Sequence, residues 1–213
     1  MAIDDLLDEH EQSERVRNWL KNNGAGIIGG IALGLAVIFG WQWWQKHQVQ
    51  QAEQANLDYQ STVDSLGKAD LKKAQAEVAK LQGGDANIYA DLAALRLAKA
   101  QVDAGQAEAA IATLRALKPE SSLKSLVDLR LARLLTDAGK GEEALKILGD
   151  ASDSSSLEMR GDALFATGKR DQARDTYLKA LTGMDVAAPQ RQLVALKLTD
   201  AGGTPPKPGQ PTR

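Results

Sequence analysis

The sequence predicts an all-α protein in which one transmembrane helix near the N-terminus is followed by a solenoid of helical hairpins. Three observations predict this fold. One stretch is uncharged, apolar and long enough to cross a membrane, helix-forming residues dominate the remaining chain, and a motif recurs there at a spacing of about 34 residues. The length of 213 residues leaves room for one or two domains.

The composition is ordinary on average but uneven along the chain. Apolar residues make up 43%, charged residues 25%, and the formal net charge is −2. Because there is no basic excess, binding to nucleic acid is not expected. The absence of Cys excludes disulfides, zinc thiolates and thiol nucleophiles. Both His precede residue 48, and residues 48–213 contain 22 basic and 22 acidic side chains, so the chain divides chemically near residue 47.

Residues 24–45 are predicted to form the transmembrane helix. The 24 residues between Lys21 and Lys46 carry no formal charge, and about 20 apolar residues let a helix cross the hydrocarbon core. The alternatives are a buried Gly-rich core helix and a cleaved signal peptide, but the acidic segment ahead favours an uncleaved signal anchor. Indole rings prefer the membrane interface. Trp19 precedes this stretch, and Trp41, Trp43 and Trp44 lie at its C-terminal end.

The basic residues near the two ends of the span predict its orientation. Residues 1–23 form an acidic tail with three basic and six acidic side chains, whereas Lys46 is the only basic residue after the span until Lys68. We therefore expect the tail in the cytoplasm and the C-terminal part on the opposite side of the membrane. Apolar residues at near-helical spacing indicate an amphipathic helix over residues 3–20, or a mobile tail over residues 1–12.

Three glycines within the predicted span, Gly26, Gly30 and Gly34, stand four residues apart. On a helix they share one face and form two overlapping GxxxG motifs, which let a second helix approach closely. This spacing predicts packing against a partner helix, either a second copy of the chain or another membrane protein. The alternative is that small residues are simply tolerated in lipid.

A motif repeats in the part of the chain that follows the span. Residues 95–105 read LRLAKAQVDAG and residues 129–139 read LRLARLLTDAG, identical at seven of eleven positions, and a third copy ends at Gly168. Aligned on their final glycines, the copies share a small residue seven positions before the glycine, Ala five positions after it and a large apolar residue nine positions after it: Ala98, Ala132 and Gly161; Ala110, Ala144 and Ala173; Leu114, Leu148 and Tyr177.

Each of these positions has a mechanical reason. Gly105, Gly139 and Gly168 would each end a first helix in the left-handed conformation that Gly adopts cheaply. The small residues would let paired helices approach, and the large residue would fill the gap toward the next repeat. A helix–turn–helix period of 34 residues with this pattern is typical of tetratricopeptide repeats. The alternative is an ordinary bundle of alanine-rich helices.

The tetratricopeptide-like domain is predicted to cover residues 48–201. A long helix from the membrane and a helix over residues 69–82 form a degenerate first pair, and residues 188–201 form a lone capping helix. The step from the second to the third glycine is only 29 residues, which predicts a short irregular linker over residues 150–156. Residues 202–213 contain four Pro and three Gly, so this tail is predicted to be disordered.

Little in the sequence carries chemistry. Residues 48–213 contain neither His nor Cys, and phosphate-binding and nucleophile motifs are absent, so we expect no enzyme, metal or cofactor. First helices line the concave face of such solenoids, where partner segments bind. Basic residues occupy equivalent first-helix positions and form a candidate ladder for acidic groups or a carboxylate: Arg96, Lys99, Arg130 and Arg133. The favoured alternative is that they serve surface solubility and i,i+4 ion pairing.

Several motifs together resemble those of one bacterial family. The segment after the span reads G-W-x-x-W-x-x-H-Q over residues 40–48, and RGDAL and GKRDQAR follow at residues 160–164 and 168–174. With LRLAR at residues 129–133 and the order acidic tail, single span and repeats, the chain resembles the YfgM-type ancillary subunits of the SecYEG translocon in Gram-negative bacteria. The resemblance covers about residues 10–200, and the Pro-rich end departs from it.

The resemblance implies an inner-membrane protein with a periplasmic tetratricopeptide-like domain. It also implies association with SecYEG and the periplasmic chaperone PpiD, and help in passing emerging chains to periplasmic chaperones. Two function classes therefore stay open. The favoured one is a membrane-anchored module that binds protein segments or unfolded chains at the secretion channel. The alternative is a periplasmic scaffold or assembly factor that docks a stable partner without a role in secretion.

Overall fold

The computed structural model describes residues 2–83, 88–118 and 121–206. Within these ranges the secondary structure consists of helices joined by turns, without a strand, so the all-α prediction is confirmed. The helices run in chain order as α1 Ala2–Gly67, α2 Leu71–Gln82, α3 Ile88–Asp103, α4 Ala107–Arg115, α5 Ser121–Asp137, α6 Gly141–Leu148, α7 Ser154–Ala166, α8 Arg170–Gly183 and α9 Arg191–Asp200.

The first helix contains the predicted span. Helix α1 is continuous from Ala2 to Gly67, so the backbone of the tail predicted as either a helix or a mobile segment is helical from residue 2. Its part Ser13–Gly67 is long and apolar enough to cross a membrane, and none of its most apolar window is buried. The described chain separates into two compact units on either side of the bond between Gln54 and Ala55.

The second unit is a stack of helical hairpins. Helices α3 and α4, α5 and α6, and α7 and α8 pack as pairs, and α4 on α5, α6 on α7 and α8 on α9 join each pair to the next helix. Their buried side chains form three apolar clusters. The N-terminal cluster contains Val78, Leu81 and Leu97, and the partly buried Tyr59 near the end of α1 packs against it. The predicted solenoid of helical hairpins is therefore confirmed.

Three helix boundaries differ from the sequence prediction for local reasons. Helix α2 begins at Leu71 rather than residue 69, because the Asp70 carboxylate accepts the Lys73 backbone N–H at 3.0 Å and caps the helix. The irregular linker predicted over residues 150–156 is shorter, because Asp153 caps α7 in the same way through Ser156. Helix α9 begins at Arg191 rather than residue 188. Residue 188 directly precedes Pro189, and a residue before a proline disfavours the helical conformation.

The C-terminal tail predicted over residues 202–213 lies mostly outside the described residues. Its first part, residues 202–206, is not helical. Gly203 nevertheless packs closely, because a Cβ added there would lie 2.3 Å from Leu198 and 2.9 Å from Arg174. The chain therefore continues against the solenoid up to this point.

Candidate functional site

The three first helices α3, α5 and α7 end in the same turn. Gly105, Gly139 and Gly168 have φ values of 75°, 73° and 79°, in the left-handed region that a side chain would strain. In each turn the glycine N–H bonds to the carbonyl three residues back, at 2.9 to 3.0 Å. The following N–H bonds to the carbonyl five residues back, at 2.7 to 2.9 Å. These two hydrogen bonds satisfy carbonyls in the last turn of each first helix, and the chain then turns into the second helix.

The repeated small and large residues lie in the core of the hairpin stack. Gly161 of α7 packs against the ring of Tyr177 of α8, and a Cβ added to Gly161 would lie 2.4 to 2.9 Å from that ring. The remaining repeat positions are all buried, with at most 5% exposure: Ala98, Ala132, Ala110, Ala144, Ala173, Leu114 and Leu148. The positions singled out in the sequence are therefore core positions, and Gly161 and Tyr177 form a direct contact between a first and a second helix.

A polar cluster connects the third hairpin to α9. Lys197 Nζ of α9 lies 2.7 Å from both Glu158 Oε1 and Asp162 Oδ2 of α7. The Tyr177 hydroxyl donates a hydrogen bond to Asp162 Oδ1 at 2.8 Å. Burial, and then the hydrogen bond and charge of Asp162, raise the pKa of Tyr177 above its ordinary range. The four side chains therefore join α7, α8 and α9 and keep this part of the stack fixed.

This cluster was not predicted from the sequence, although one signal for it is visible there. Asp162 stands six residues before its helix-ending glycine, where Lys99 and Arg133 stand in the first two repeats. The reversed charge at an equivalent position indicates a different partner. That partner, Lys197, is 35 residues away along the chain, so no local pattern identifies it.

The candidate basic ladder lies on exposed positions of α3 and α5. The Arg96 guanidinium donates to the Tyr59 hydroxyl at 2.7 Å and lies over that ring, so it also joins α3 to the end of α1. Lys99 pairs with Asp103 one turn further along α3, at 2.5 Å. Within the described part of the chain, Arg130 and Arg133 of α5 make no ion pair. Arg130 and Arg133 are therefore the two cations of the ladder that are open to an external anion.

Exposed apolar side chains lie on the same two helices as these cations. Leu126 precedes Arg130 by one helical turn and is 38% exposed, and Val102 on α3 is 41% exposed. Leu129 is half-buried and packs against the core of the second hairpin. The exposed face of α5 therefore alternates apolar and cationic side chains at helical spacing. Such a face suits a protein segment that carries both apolar and acidic residues.

A groove lies between the second and third hairpins. It encloses about 710 Å³ and is lined by residues of α6, the following linker, α7 and α8. Arg160, the first residue of the RGDAL stretch, lines this groove and donates a hydrogen bond to the carbonyl of Gly149. Arg160 thus ties the linker to α7 and is not a free cation in the groove.

The span residues singled out in the sequence lie on the surface of α1. A Cβ added at Gly26, Gly30 or Gly34 would meet nothing within 4 Å, so this glycine face is open. All four Trp are exposed, with Trp41 and Trp44 in ring contact at 5.2 Å and Trp43 stacked on His47 at 5.6 Å. The roles predicted for these residues in helix packing and at the membrane interface stay predictions.

Among the described residues, no group of three or more His, Cys, Asp or Glu is placed to hold a metal ion. The neighbouring carboxylates of Glu158 and Asp162 are both paired with Lys197. The polar cluster of Glu158, Asp162, Tyr177 and Lys197 therefore makes structural contacts between helices. The exposed face of α3 and α5 is its main candidate for contact with another protein.

Comparison with known proteins agrees with this architecture. A family model described as a tetratricopeptide repeat-like domain matches residues 17–203. The chain is 31% identical over 202 residues to the ancillary SecYEG translocon subunit of Escherichia coli K12, covering 91% of this chain and 96% of that protein. It is 33% identical over 109 residues to the protein of that name from Haemophilus influenzae, covering 51% of this chain and 53% of that protein. No solved structure matches the chain.

The match extends across both units. It begins before the predicted span, passes through all three hairpins and ends after α9. The repeat-like fold and these relatives point to protein binding rather than catalysis. Because the family model covers most of the chain and the Escherichia coli protein is similar along nearly its full length, the chain belongs to the tetratricopeptide repeat-like family of the ancillary SecYEG translocon subunits.

Proposed function

We propose that this protein is a membrane-anchored binding module of the Sec translocon. In this proposal it holds newly translocated chains at the exit of the channel and passes them to periplasmic chaperones. The observation that carries the proposal is the similarity over 91% of the chain to a protein named as an ancillary SecYEG translocon subunit. A hairpin solenoid attached to a helix apolar enough to cross a membrane suits this role, because it keeps a protein-binding surface close to the channel.

The proposed arrangement assigns a place to each part of the chain. Residues 1–23 are the cytoplasmic tail, residues 24–45 cross the inner membrane, and residues 48–201 form the periplasmic domain. Three basic side chains precede the span, whereas Lys46 is the only one from the end of the span up to Lys68, which supports this orientation. The four Trp are assigned to the two membrane interfaces, because an indole ring is apolar but keeps a polar N–H.

The proposed binding surface is the exposed face of α3 and α5. Among the residues that the structure describes, Arg130 and Arg133 have no ion-pair partner, and Leu126 and Val102 supply exposed apolar area. An unfolded chain offers both apolar and acidic side chains, so it matches this mixture. Lys99 is assigned a secondary role, because an external anion must compete with Asp103 for it.

The proposed partners are SecYEG and the membrane-anchored chaperone PpiD. Association through the span would use the open face of Gly26, Gly30 and Gly34, where no side chain keeps another helix at a distance. A second copy of the chain is a further candidate for that face. The soluble domain would then contribute contacts with emerging chains and chaperones.

Purification of the full chain from membranes in a mild detergent tests the association. The proposal predicts that SecYEG subunits and PpiD co-purify, and that replacing Gly26, Gly30 and Gly34 by Leu reduces their recovery. A matched control replaces Ile27, Ile31 and Leu35 by Ala, which leaves the glycine face intact. Recovery of the intact protein without any channel subunit or periplasmic chaperone would refute the translocon role and favour a scaffold that docks another partner.

Single cysteines test the orientation, because the natural chain contains none. A Cys introduced at Ser13 lies in the predicted cytoplasmic tail, and one at Ser152 lies in the predicted periplasmic domain. A thiol reagent that cannot cross the inner membrane should label the second position in intact spheroplasts and the first only after lysis. Labelling in the reverse order would contradict the proposed topology.

A further inference from the structure

Helix α9 ends in the same way as the first helices of the three repeats. Gly202 has a φ of 86°, and its N–H bonds to the carbonyl of Thr199 at 2.9 Å while the Gly203 N–H bonds to Leu198 at 2.8 Å. These are the two bonds found at Gly105, Gly139 and Gly168. Gly202 also follows Gly168 by 34 residues, which is the repeat period of the first two copies.

The packing of α9 follows the repeat pattern as well. Ala195 provides the small residue seven positions before the glycine. Val194 and Leu198, eight and four positions before it, are buried at 0% and 1% exposure. Leu131 and Leu135 occupy the equivalent buried positions of α5. Helix α9 therefore has the form of a first helix, although residues 203–206 after it form no second helix.

Apolar side chains of α9 are exposed at the position where a second helix would pack, and residues 203–206 form none there. In the third repeat, the two residues seven and six positions before the glycine, Gly161 and Asp162, both contact Tyr177 of the second helix. Their equivalents on α9 are Ala195 and Leu196, and Leu196 is 64% exposed. Leu193, one turn earlier, is 51% exposed. A helix that closes a solenoid usually has a polar outer face, so these leucines are unusual for a terminal cap.

We propose that α9 is the first helix of an incomplete fourth repeat and that an amphipathic helix of a partner protein completes it. The partner helix would occupy the position that α8 has against α7. It would carry a small residue and, four residues later, a large apolar residue that packs against Ala195 and covers Leu196. This spacing is the one between Ala173 and Tyr177 in the third repeat. The site continues the existing stack of α7, α8 and α9.

The size of the patch favours a partner helix over a second copy of the chain. Two partly exposed leucines offer on the order of 200 Å², against roughly 800 Å² per partner in a standard stable interface. A contact between two α9 helices through Leu193 and Leu196 alone is therefore too small. A helix in the second-helix position would contact α9 along most of its length, as α8 contacts α7. This inference does not depend on the translocon role.

A peptide with the sequence of α8, Arg170–Gly183, is a suitable probe because it is a second helix of this solenoid. Fluorescence anisotropy of the labelled peptide is measured against the full chain in mild detergent. We expect saturable binding that weakens at least tenfold when Leu193 and Leu196 are both replaced by Lys. Leu57→Lys is the matched control, because Leu57 is 61% exposed on α1, and it should leave the affinity unchanged.

Circular dichroism of each variant establishes that the helices are retained, which is expected since the replaced leucines are largely exposed. A peptide that carries Asp in place of both Ala173 and Tyr177 should bind at least tenfold more weakly. Absence of saturable binding, or equal affinity for the Leu193→Lys, Leu196→Lys chain and the Leu57→Lys chain, would overturn the proposal. Equal affinity would show that the peptide binds elsewhere, for example by displacing α8.

Two further variants identify a different occupant if there is one. With Leu196→Cys as the only thiol, disulfide-linked dimers that form in membranes more readily than with Leu57→Cys would assign the site to a second copy. Binding of the peptide only after removal of residues 207–213 would assign it to the chain's own tail. Either result would overturn the proposal of a partner helix, whereas monomeric Leu196→Cys chains and tail-independent binding support it.

Discussion

The residues at the small and large positions of each repeat are matched in size. The first two repeats pair Ala98 with Leu114 and Ala132 with Leu148, whereas the third pairs Gly161 with Tyr177. The loss of a methyl group on one helix accompanies the larger ring on the other, because the added Cβ would overlap that ring. Complementary volumes in a close-packed core explain this exchange.

This pairing predicts the effect of adding one methyl group. Gly161→Ala should lower the free energy of unfolding by about 1–3 kcal/mol, because the Tyr177 ring is buried and has to shift. Combining it with Tyr177→Leu should restore much of the stability, since it reproduces the pairs of the first two repeats. Thermal unfolding of the full chain in detergent measures both. Gly67→Ala is the control, because a Cβ there meets nothing within 4 Å.

The buried hydroxyl of Tyr177 predicts a dependence of stability on alkaline pH. Burial, and then the hydrogen bond and charge of Asp162, raise its pKa in the folded state, so the folded chain holds the proton more tightly than the unfolded chain. The resulting stabilisation is complete below the unfolded pKa of about 10 and decreases above it. Between pH 9 and pH 11 the melting temperature should fall more for the natural chain than for Tyr177→Phe. Equal decreases in melting temperature for the two chains would contradict the attribution of this pH dependence to Tyr177.

At the scale of helices, the start of α7 depends on one carboxylate. Asp153 accepts the Ser156 backbone N–H at 3.0 Å, and hydrogen bonding to Ser156 lowers the pKa of Asp153. Asp153→Ala should destabilise the domain by about 1 kcal/mol, whereas Asp150→Ala in the same linker should have little effect. Because the folded pKa is lowered, this stabilisation is present above about pH 4 and lost as the pH falls through the folded pKa. The two variants should therefore melt more alike at pH 3.

The helices were largely predictable from the sequence because their turns use a residue with a distinct backbone preference. The glycines at 105, 139 and 168 indicate where first helices end, and the structure has left-handed conformations at all three. Gly202 was not recognised as a fourth copy of the repeat glycine. The positions five and nine residues after it are Lys207 and Pro211, which do not match the pattern of a second helix. Local capping by Asp70 and Asp153 was also missed, and it moved two helix starts.

The candidate site was less predictable than the fold, because contacts between distant residues decide which side chains are available. The basic residues of α3 and α5 look equivalent in sequence, yet Arg96 bonds to Tyr59 and Lys99 to Asp103. Only Arg130 and Arg133 lack such a contact among the described residues. Likewise, Lys197 is an ordinary surface lysine in sequence but bridges two carboxylates of α7.

At the scale of the whole molecule, charged, apolar and aromatic residues are distributed unevenly along the chain. An acidic tail and a tryptophan-flanked apolar helix precede a domain in which basic and acidic residues balance. That domain carries a hairpin stack with an exposed apolar and cationic face. In the proposed function the first part determines where the protein resides, and the second part binds chains that emerge there.

Photo-cross-linking to an arrested translocation intermediate tests most directly the central claim that the exposed face of α5 binds emerging chains. A photoreactive amino acid replaces Arg133 on the exposed face of α5, and in a matched chain it replaces Lys146, which is exposed on the second helix α6. With a periplasmic protein arrested in SecYEG, the account predicts a cross-link to the emerging chain from position 133 and little from position 146. Equal yields from the two positions, or no cross-link from position 133, would contradict it.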